Sequence, residues 1–389
     1  MNETKTSVLS NGLLWFGAGI SIAEILTGML LAPLGFGKGL LAIIIGHVIG
    51  GAVMFGAGVI GGRTGRSAME TVQISFGRQG AKLFAGLNVI QLIGWTAVMI
   101  ASAAVAANTI AAIGTAFWSV IIAALIALWI VLGLKNLGRV NVIVIAALLI
   151  LTLVLSAVIF SGGTAPQADG TMTMGQAIEL TVAMPLSWLP IISDYTRTAE
   201  KPIKATAASC GAYFVASTWM FVIGMGAALY TGQDDIAAIM LQAGMGLIGI
   251  LIILLSTVTT TFLDAFSAGV SGRSLLPQVS DTVLALIACA GGMILAIAVD
   301  ASRFEDFLYL IGSVFAPMTA ILLSDYFILR QDHSGQSVCW LNLILWVAGF
   351  VLYRALLDVQ TPWGITFPVI ILVMLASAII HKILPARGY

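Results

Sequence analysis

The stretch PLSWLPIISDYTR, residues 185–197, interrupts an apolar run that begins near Gln176. Pro185 and Pro190 each lack a backbone donor and clash with the preceding helical turn, so this segment disfavours a continuous helix. In lipid, backbone groups that a helix leaves free must be satisfied by protein or by a water-filled cavity. We therefore predict that this run is a membrane span that breaks near Ser187, at a buried site.

The composition of the whole chain indicates a polytopic membrane protein. Of its 389 residues, 60% are apolar and only 9% are charged, which is far from the averages of soluble domains. Apolar runs of about 17–25 residues recur along it, each long enough to cross a hydrocarbon core of roughly 30 Å. The runs predict an all-α protein of twelve spans, at 13–32, 39–61, 84–108, 118–134, 140–160, 176–194, 207–230, 243–268, 282–299, 307–329, 338–357 and 365–383.

Basic residues predict the orientation, because Lys and Arg in short loops stay on the cytoplasmic side. With the N-terminus inside, only Lys38, Arg303 and Arg354 fall outside. The other fourteen of the seventeen face the cytoplasm: Lys5, Arg63, Arg66, Arg78, Lys82, Lys135, Arg139, Arg197, Lys201, Lys204, Arg273, Arg330, Lys382 and Arg387. We expect a multi-pass protein of a bacterial inner membrane with both termini in the cytoplasm.

A second break is expected in the first span, LLWFGAGISIAEILTGMLLAP, residues 13–33. Gly17, Gly19, Ser21 and Glu24 cluster at its middle, where glycine weakens the helix. A proline kink alone would explain the sixth span, but breaks in spans one and six are typical of carriers built from two inverted five-span repeats. The break positions, without residue similarity between the halves, predict one transmembrane domain, 1–389, with repeats at 1–160 and 176–330 and two accessory helices within 338–383.

Burying an ionisable side chain inside a membrane span costs free energy, so each such residue is a candidate functional residue. Glu24 is central in span one, and we favour a functional role for it over a buried structural carboxyl. Asp264 in span eight leaves both interpretations open, while Glu179 lies so near the membrane surface that solvation explains it equally well. His47 in span two is better explained as a packed histidine with satisfied hydrogen bonds.

Span eight also carries a run of hydroxyls in STVTTTFLDAFSAG, residues 256–269. Such hydroxyls often bond back to their own helix. Together with carbonyls from an unwound helix, however, they are ligands suited to Na⁺. We select Thr259 and Thr260 as the candidate pair.

Span three contains NVIQLIGWTAVM, residues 88–99, in which Gln91 and Trp95 lie four apart and share a helical face. An amide and an indole together can hold a flat heteroaromatic ring, the indole by stacking and the amide by bonding the ring edge. Trp95 and Trp188 lie deep in their spans. Other tryptophans lie near span ends and are expected in interfacial belts: Trp15, Trp118, Trp340 and Trp363.

Short motifs along nearly the whole chain resemble the nucleobase:cation symporter-1 family, which includes hydantoin, cytosine, purine and allantoin permeases. The motifs are ILTG at 25–28, QLIGW at 91–95, SWLPIISDYTR at 187–197, TTTFLDAFSAG at 259–269 and SDYF at 324–327. Within the family, the chain looks most like CytX-type hydroxymethylpyrimidine transporters, which serve thiamin precursor salvage. The resemblance implies a LeuT-like fold of ten core helices in an inverted repeat, two extra helices and alternating access.

The resemblance also implies a substrate site. Trp95 would stack on the substrate ring and Ser187 would bind it, while Trp188 would supply a second stacking face because Pro185 replaces the family's aromatic residue. The span-eight asparagine of related carriers is not matched, and Ser256 or Asp264 could stand in for it. Glu24 departs from the pattern of the hydantoin and cytosine carriers; on chemical grounds we expect its carboxyl group to complement the amino edge of an aminopyrimidine.

For the coupling ion, the resemblance implies that Thr259 and Thr260 bind Na⁺ with backbone carbonyls near Gly19 and Ile22. We expect a symporter that imports a neutral pyrimidine, above all hydroxymethylpyrimidine, by coupling to Na⁺ or H⁺. A cytosine or purine permease of the same fold is the alternative. The expected partners are a small planar pyrimidine and the bilayer, with no cofactor other than the coupling ion, no nucleic acid and no obligate protein partner.

Two other classes of protein, channels and enzymes, are disfavoured. Paired breaks favour an occluding carrier over a channel. An enzyme would need a convergent cluster of catalytic or metal-binding residues, and the scattered His47, His333 and His381 are not expected to form one. Cys210, Cys289 and Cys339 lack metal-ligand or CxxC spacing, so neither disulfide nor zinc chemistry is expected of them.

Overall fold

The computed structural model describes residues 5–136, 138–161, 170–232, 235–242, 244, 246–298 and 304–383. Within these ranges the regular secondary structure is helical, apart from an isolated parallel bridge between Thr6 and Ala199. The α-helices are α1 Val8–Gly19, α2 Ile22–Leu30, α3 Phe36–Thr64, α4 Ala68–Ile110, α5 Thr115–Asn136, α6 Gly138–Phe160, α7 Met174–Ser187, α8 Ile192–Thr196, α9 Pro202–Thr231, α10 Ile236–Gln242, α11 Gly246–Arg273, α12 Asp281–Ala298, α13 Phe304–Leu323, α14 Trp340–Ala355 and α15 Thr366–Ile383. A π-helical turn, Ser324–Leu329, extends α13.

The predicted spans match these helices in order. Among the described residues, nine helices are long and apolar enough to cross a membrane, and the bent pair α1–α2 makes a tenth. The remaining two predicted spans correspond to α7 with α8 and to the shorter apolar helix α14. Val299, the last residue of the predicted ninth span, lies outside the described residues.

Both predicted breaks are confirmed. In span one, α1 ends at Gly19, and Ile20 leaves the helical region with φ −90° and ψ 85°. The Ser21 hydroxyl then accepts a hydrogen bond from the Glu24 amide at 3.3 Å, which caps α2 after a bend of 52°. In span six, α7 continues through Pro185, ends at Ser187, and gives way to a turn before α8.

The core helices pack as two groups. In the first group, α1, α2, α3, α7, α8 and α9 pack mainly against one another, so it combines spans one, two, six and seven. In the second group, α4, α5, α11 and α12 do the same, so it combines spans three, four, eight and nine. A shift of five spans maps each group onto itself, as expected of two five-span repeats, and the division at 1–160 and 176–330 stays a prediction.

A close helix crossing holds the first group together. A Cβ added to Gly28 in α2 would lie 2.7 Å from the Cα of Phe221 in α9, and one added to Gly224 in α9 would lie 2.8 Å from the carbonyl carbon of Ile25. Only glycine lets two backbones approach this closely, a common device between membrane helices. The second half of broken span one is therefore fixed against α9.

Glu179 attaches the accessory helices to span six. Its carboxylate is 2% exposed and accepts hydrogen bonds from the Tyr353 hydroxyl at 2.6 Å, the Ile365 amide at 2.6 Å, and the Thr366 amide and hydroxyl at 2.8 and 2.6 Å. A carboxylate at the start of α15 also interacts favourably with the helix dipole. Solvation therefore does not explain Glu179, and that interpretation was wrong: burial at a helix start replaces water here.

Several basic residues assigned to the cytoplasm share one face of the protein. Arg66 lies 3.5 Å from Asp332, which joins the connection before α4 to the loop before α14. A second cavity of about 440 Å³ is lined by four basic residues, Arg78, Lys82, Arg197 and Arg273, together with Glu70 and Asp281. Their clustering agrees with the predicted span order, whereas the assignment of this face to the cytoplasm stays a prediction.

Candidate functional site

The break in span six is joined to span three by two side-chain amides. Gln91 Nε2 donates to the Ser187 carbonyl at 3.2 Å and to Asn88 Oδ1 at 3.0 Å. Asn88 Nδ2 in turn donates to the Pro190 carbonyl at 3.1 Å and to the Ser271 hydroxyl at 2.8 Å. Carbonyls that the broken helix leaves free are thus satisfied by protein, as the low dielectric of a membrane interior demands.

Asn88 was not predicted as a site residue, although the sequence carries a signal for it. Asn88 lies three residues before Gln91, on the same helical face, within the NVIQ stretch. A second buried amide on the face already chosen for Gln91 and Trp95 should have been selected with them.

Gln91 also has an atom that can receive a ligand. Within the described part of the chain, Gln91 Oε1 is buried and has no hydrogen-bond partner. A buried acceptor without a partner costs about 1–3 kcal/mol, a cost that a ligand N–H would remove. The adjacent Ser187 hydroxyl donates to the Met184 carbonyl at 2.7 Å, so its oxygen can still accept a hydrogen bond.

Aromatic rings surround the broken segment. Trp188 packs edge-on against Trp15 and Tyr213, with ring centroids 5.2 and 6.1 Å away. Trp95 packs against Phe307 of α13 at 5.5 Å. Trp95 and Trp188 are only 5% and 6% exposed, so these rings are closed off from solvent in this conformation.

The interfacial-belt prediction holds for two tryptophans and fails for two. Trp340 and Trp363 are 71% and 51% exposed, as expected at a membrane surface. Trp15 is completely buried beside the span-six break, and Trp118 is buried with its indole N–H donating to the Ala111 carbonyl at 2.9 Å. Distance from a span end did not indicate burial, because neighbouring helices cover these two positions. Trp15 and Phe307 are site-adjacent residues that sequence reasoning did not identify.

Glu24 is buried, and its carboxylate contacts α9. The Tyr213 hydroxyl donates to it at 2.6 Å and the Ser217 hydroxyl at 2.8 Å. The same Ser217 oxygen lies 2.5 Å from His47 Nε2, and His47 Nδ1 lies 2.9 Å from the Ile43 carbonyl. Each His47 nitrogen therefore has a hydrogen-bonding atom beside it, as predicted for a packed histidine. Glu24 belongs to a network inside the first group, and substrate binding by Glu24 stays a prediction.

The candidate Na⁺ ligands lie on α11, which packs beside both halves of span one. The Thr259 hydroxyl donates back to its own helix, 2.9 Å from the Leu255 carbonyl. The Thr260 hydroxyl is buried and has no partner among the described residues. Gly19 and Ile22 flank the break in span one, so their carbonyls belong to the segment where regular helical bonding ends.

The two proposed substitutes for an asparagine in span eight differ in their surroundings. The Ser256 hydroxyl donates to the Ile253 carbonyl of its own helix at 3.2 Å. Asp264 is 4% exposed and directly follows Leu263, whose carbonyl accepts a hydrogen bond from the Tyr195 hydroxyl at 3.2 Å. Asp264 therefore lies where α11 meets the end of span six.

Comparison with known sequences identifies relatives along most of the chain. A family model described as a permease for cytosine/purines, uracil, thiamine and allantoin matches residues 2–338. The cytosine permease of Escherichia coli strain K12 is 23% identical over 314 residues, which cover 79% of this chain and 74% of that permease.

Solved structures share the fold. Mhp1, a nucleobase-cation-symport-1 family transporter in a closed conformation with bromovinylhydantoin bound, superposes with a TM-score of 0.82 at 17% identity, covering 97% of this chain and 92% of its own. A Na⁺-coupled sialic acid symporter in a substrate-bound outward-open state superposes with a TM-score of 0.71 at 15% identity, covering 99% and 91%. The predicted LeuT-like fold is confirmed. Because the family model spans most of the chain, the protein belongs to the nucleobase:cation symporter-1 permeases and is a transporter, not an enzyme.

Proposed function

We propose that the protein is a secondary active symporter that imports hydroxymethylpyrimidine, a thiamin precursor, by alternating access coupled to Na⁺ or H⁺. The observation that carries this proposal is the junction at the span-six break, where Gln91 bonds the Ser187 carbonyl and its buried Oε1 has no partner among the described residues. An aminopyrimidine has an exocyclic N–H₂ that can donate to such an oxygen. The bacterial inner membrane and N-in, C-in topology remain part of the proposal.

Each expected site residue has a role in this scheme. The substrate ring stacks on Trp95 and Trp188, and its amino group donates to Gln91 Oε1. The Ser187 oxygen accepts from the hydroxymethyl group or the ring edge. Ser256 and Asp264 contact the far end of the substrate from span eight. The substrate contacts Glu24 after the hydrogen bonds of Glu24 to α9 rearrange.

Alternating access follows from the two helix groups. Gln91 and Asn88 belong to the second group, while the Ser187 and Pro190 carbonyls belong to the first. A rocking motion between the groups must exchange these hydrogen bonds for others. A substrate bound at the same junction contacts both groups, so its binding energy is available to shift the equilibrium between conformations.

Two sets of residues are candidates for ion coupling, one for Na⁺ and one for H⁺. For Na⁺, the Thr259 and Thr260 hydroxyls and the carbonyls of Gly19 and Ile22 supply oxygen ligands at a broken helix. For H⁺, Glu24 is a buried carboxyl inside a membrane span, a residue type common in proton relays.

Purified protein in proteoliposomes tests substrate and ion together. Labelled hydroxymethylpyrimidine should accumulate above its external concentration under an imposed Na⁺ or pH gradient, and the effective gradient identifies the ion. Gln91→Ala should lose accumulation, whereas Gln79→Ala, a control on the same helix, should keep it. Transport that only equilibrates the label, or an unaffected Gln91→Ala variant, would contradict the proposal.

A cytosine or purine permease is the alternative, and the similarity to the E. coli cytosine permease favours it. Cytosine has an exocyclic amine beside a ring nitrogen and can use the same Gln91 oxygen. Competition separates the two substrates: unlabelled hydroxymethylpyrimidine should block uptake at lower concentration than cytosine or adenine. The reverse order would assign the carrier to nucleobases.

A further inference from the structure

Three potential metal ligands converge at the end of span ten, away from the substrate junction. Asp325 lies in the π-helical turn after α13, His333 in the following loop and His381 in the last turns of α15. One ligand atom from each lies within 4.8 Å of the other two, and the two imidazole rings are 6.0 Å apart. The expectation that the histidines are scattered is therefore wrong for His333 and His381, since folding brings distant segments together.

The polar atoms of this cluster are buried and incompletely paired. Asp325, His333 and His381 are 0%, 7% and 4% exposed. Within the described residues, Asp325 Oδ1 and His333 Nε2 have no hydrogen-bond partner. Buried polar atoms of this kind are rare, and each requires an explanation such as a bound ion.

Hydrogen bonds hold the second polar atom of Asp325 and of His381, the atom that does not face the cluster. Asn342 Nδ2 donates to Asp325 Oδ2 at 2.9 Å and to the Ser75 carbonyl at 2.7 Å. His381 Nδ1 lies 3.0 Å from the Ser377 carbonyl, so this nitrogen carries the proton and Nε2 presents its lone pair. Outer hydrogen bonds that orient a carboxylate and fix a histidine tautomer are typical of metal sites.

The backbone also positions His333. Arg330 adopts a left-handed conformation with φ 56°, which turns the chain after the π-helical turn. The His333 amide then donates to the Ile74 carbonyl at 2.7 Å, while the His333 carbonyl accepts from the Gln336 amide at 2.9 Å. A surface cavity of about 450 Å³ lies beside this loop and is lined in part by Ile74 and Asp332.

We propose that Asp325, His333 and His381 bind one divalent transition-metal ion of the Zn²⁺ type. Two imidazole nitrogens and one carboxylate oxygen are a ligand set that suits Zn²⁺, with water in the fourth position. In tetrahedral coordination the ligand atoms would be roughly 3.4 Å apart, so the three side chains must draw together by up to about 1.4 Å. The bound ion links accessory helix α15 to the end of span ten.

Metal titration of tag-free protein tests the site, since the chain has only three histidines and a polyhistidine tag would mask them. We expect one equivalent of Zn²⁺ by calorimetry, one equivalent of Co²⁺ with the visible absorption of a low-symmetry site, and a Zn²⁺-dependent rise in the unfolding temperature. His333→Ala and His381→Ala should each abolish all three signals. Asp332→Asn, which changes an exposed carboxylate in the same loop, should retain them.

Asn342→Ala serves as a second test, because Asn342 positions Asp325 without binding metal itself. Loss of such an outer hydrogen bond typically weakens metal affinity by about 10–100-fold, so binding should persist at a higher metal concentration.

Size-exclusion profiles of each variant establish folding. If His333→Ala does not fold, Co²⁺ titration of wild-type protein still decides the question through its absorption. Absence of saturable binding by the wild type, or unchanged binding by a folded His381→Ala variant, would overturn the proposal in favour of a metal-free Asp325–histidine ion pair. Neither result depends on substrate transport.

Discussion

Replacing Glu179 by Ala should destabilise the protein more than any conservative change at this position. The substitution removes the acceptor for four hydrogen bonds, two from backbone amides and two from hydroxyls, all in a buried site. Breaking a buried charged network costs about 3–5 kcal/mol, because the remaining partners stay buried without water. With the unfolding entropy expected for a chain of 389 residues, this corresponds to a fall of roughly 4–6 °C in the unfolding temperature.

Glu179→Gln separates the hydrogen bonds from the charge. The glutamine oxygen can accept the amides of Ile365 and Thr366, and its N–H₂ faces the Tyr353 and Thr366 hydroxyls, which can rotate to accept. Only the charge assistance and the interaction with the α15 dipole are lost, about 1–2 kcal/mol. The expected order of stability is therefore wild type, then Gln, then Ala.

Thermal unfolding followed by intrinsic tryptophan fluorescence in detergent measures this order. Glu305→Ala is the matched control, because Glu305 is also a carboxylate bonded by a tyrosine hydroxyl, that of Tyr309 at 3.3 Å, but it is exposed. Its removal should change the unfolding temperature by about one degree or less. Equal effects of Glu179→Ala and Glu305→Ala would refute the conclusion that Glu179 anchors the accessory helices.

Three further predictions concern the helix crossing, the candidate Na⁺ site and the substrate role of Glu24. Gly28→Val should reduce the yield of folded protein severely, because its side chain would meet the Phe221 backbone. Gly37→Val should not, because no atom of the described residues lies within 4 Å of a Cβ placed there. The yield of monodisperse protein in size-exclusion chromatography measures both effects. Thr260→Ala should raise the Na⁺ concentration for half-maximal uptake about tenfold, equivalent to roughly 1.4 kcal/mol, and an unchanged value would exclude it as a ligand. Glu24→Gln should cut aminopyrimidine uptake sharply, and normal uptake by a well-expressed variant would refute its substrate role.

The breaks in spans one and six were predictable because their causes are local. Proline at 190 and glycine at 17 and 19 weaken helices wherever they occur in a sequence, and an apolar run shows that the weak point lies in the membrane. Gln91 and Ser187 were each predicted at the site for separate reasons. The hydrogen bond that joins them was not, because it depends on the relative placement of two spans nearly 100 residues apart.

No local sequence pattern indicates other parts of the structure. Glu179 lies near the end of its span, where a sequence alone cannot distinguish water from the start of a distant helix, and its partners at 365 and 366 come from that helix. His333 and His381 are separated by the whole of α14 and most of α15, so their spacing matches no metal-binding motif. In both cases the accessory helices create the environment, and packing between helices is the step that single-sequence patterns do not encode.

The location of each polar contact relative to the two helix groups indicates what it does in a transport cycle. Hydrogen bonds of Glu24 with Tyr213 and Ser217 lie within the first group, so a rocking motion between the groups does not by itself break them. The Gln91 bond to the Ser187 carbonyl crosses between groups, so each reorientation must break it. A substrate that donates to Gln91 while stacking on Trp188 bridges the same boundary and can replace that bond as it forms. Loss of the Gln91 side chain should therefore impair the transport cycle far more than the stability of the fold.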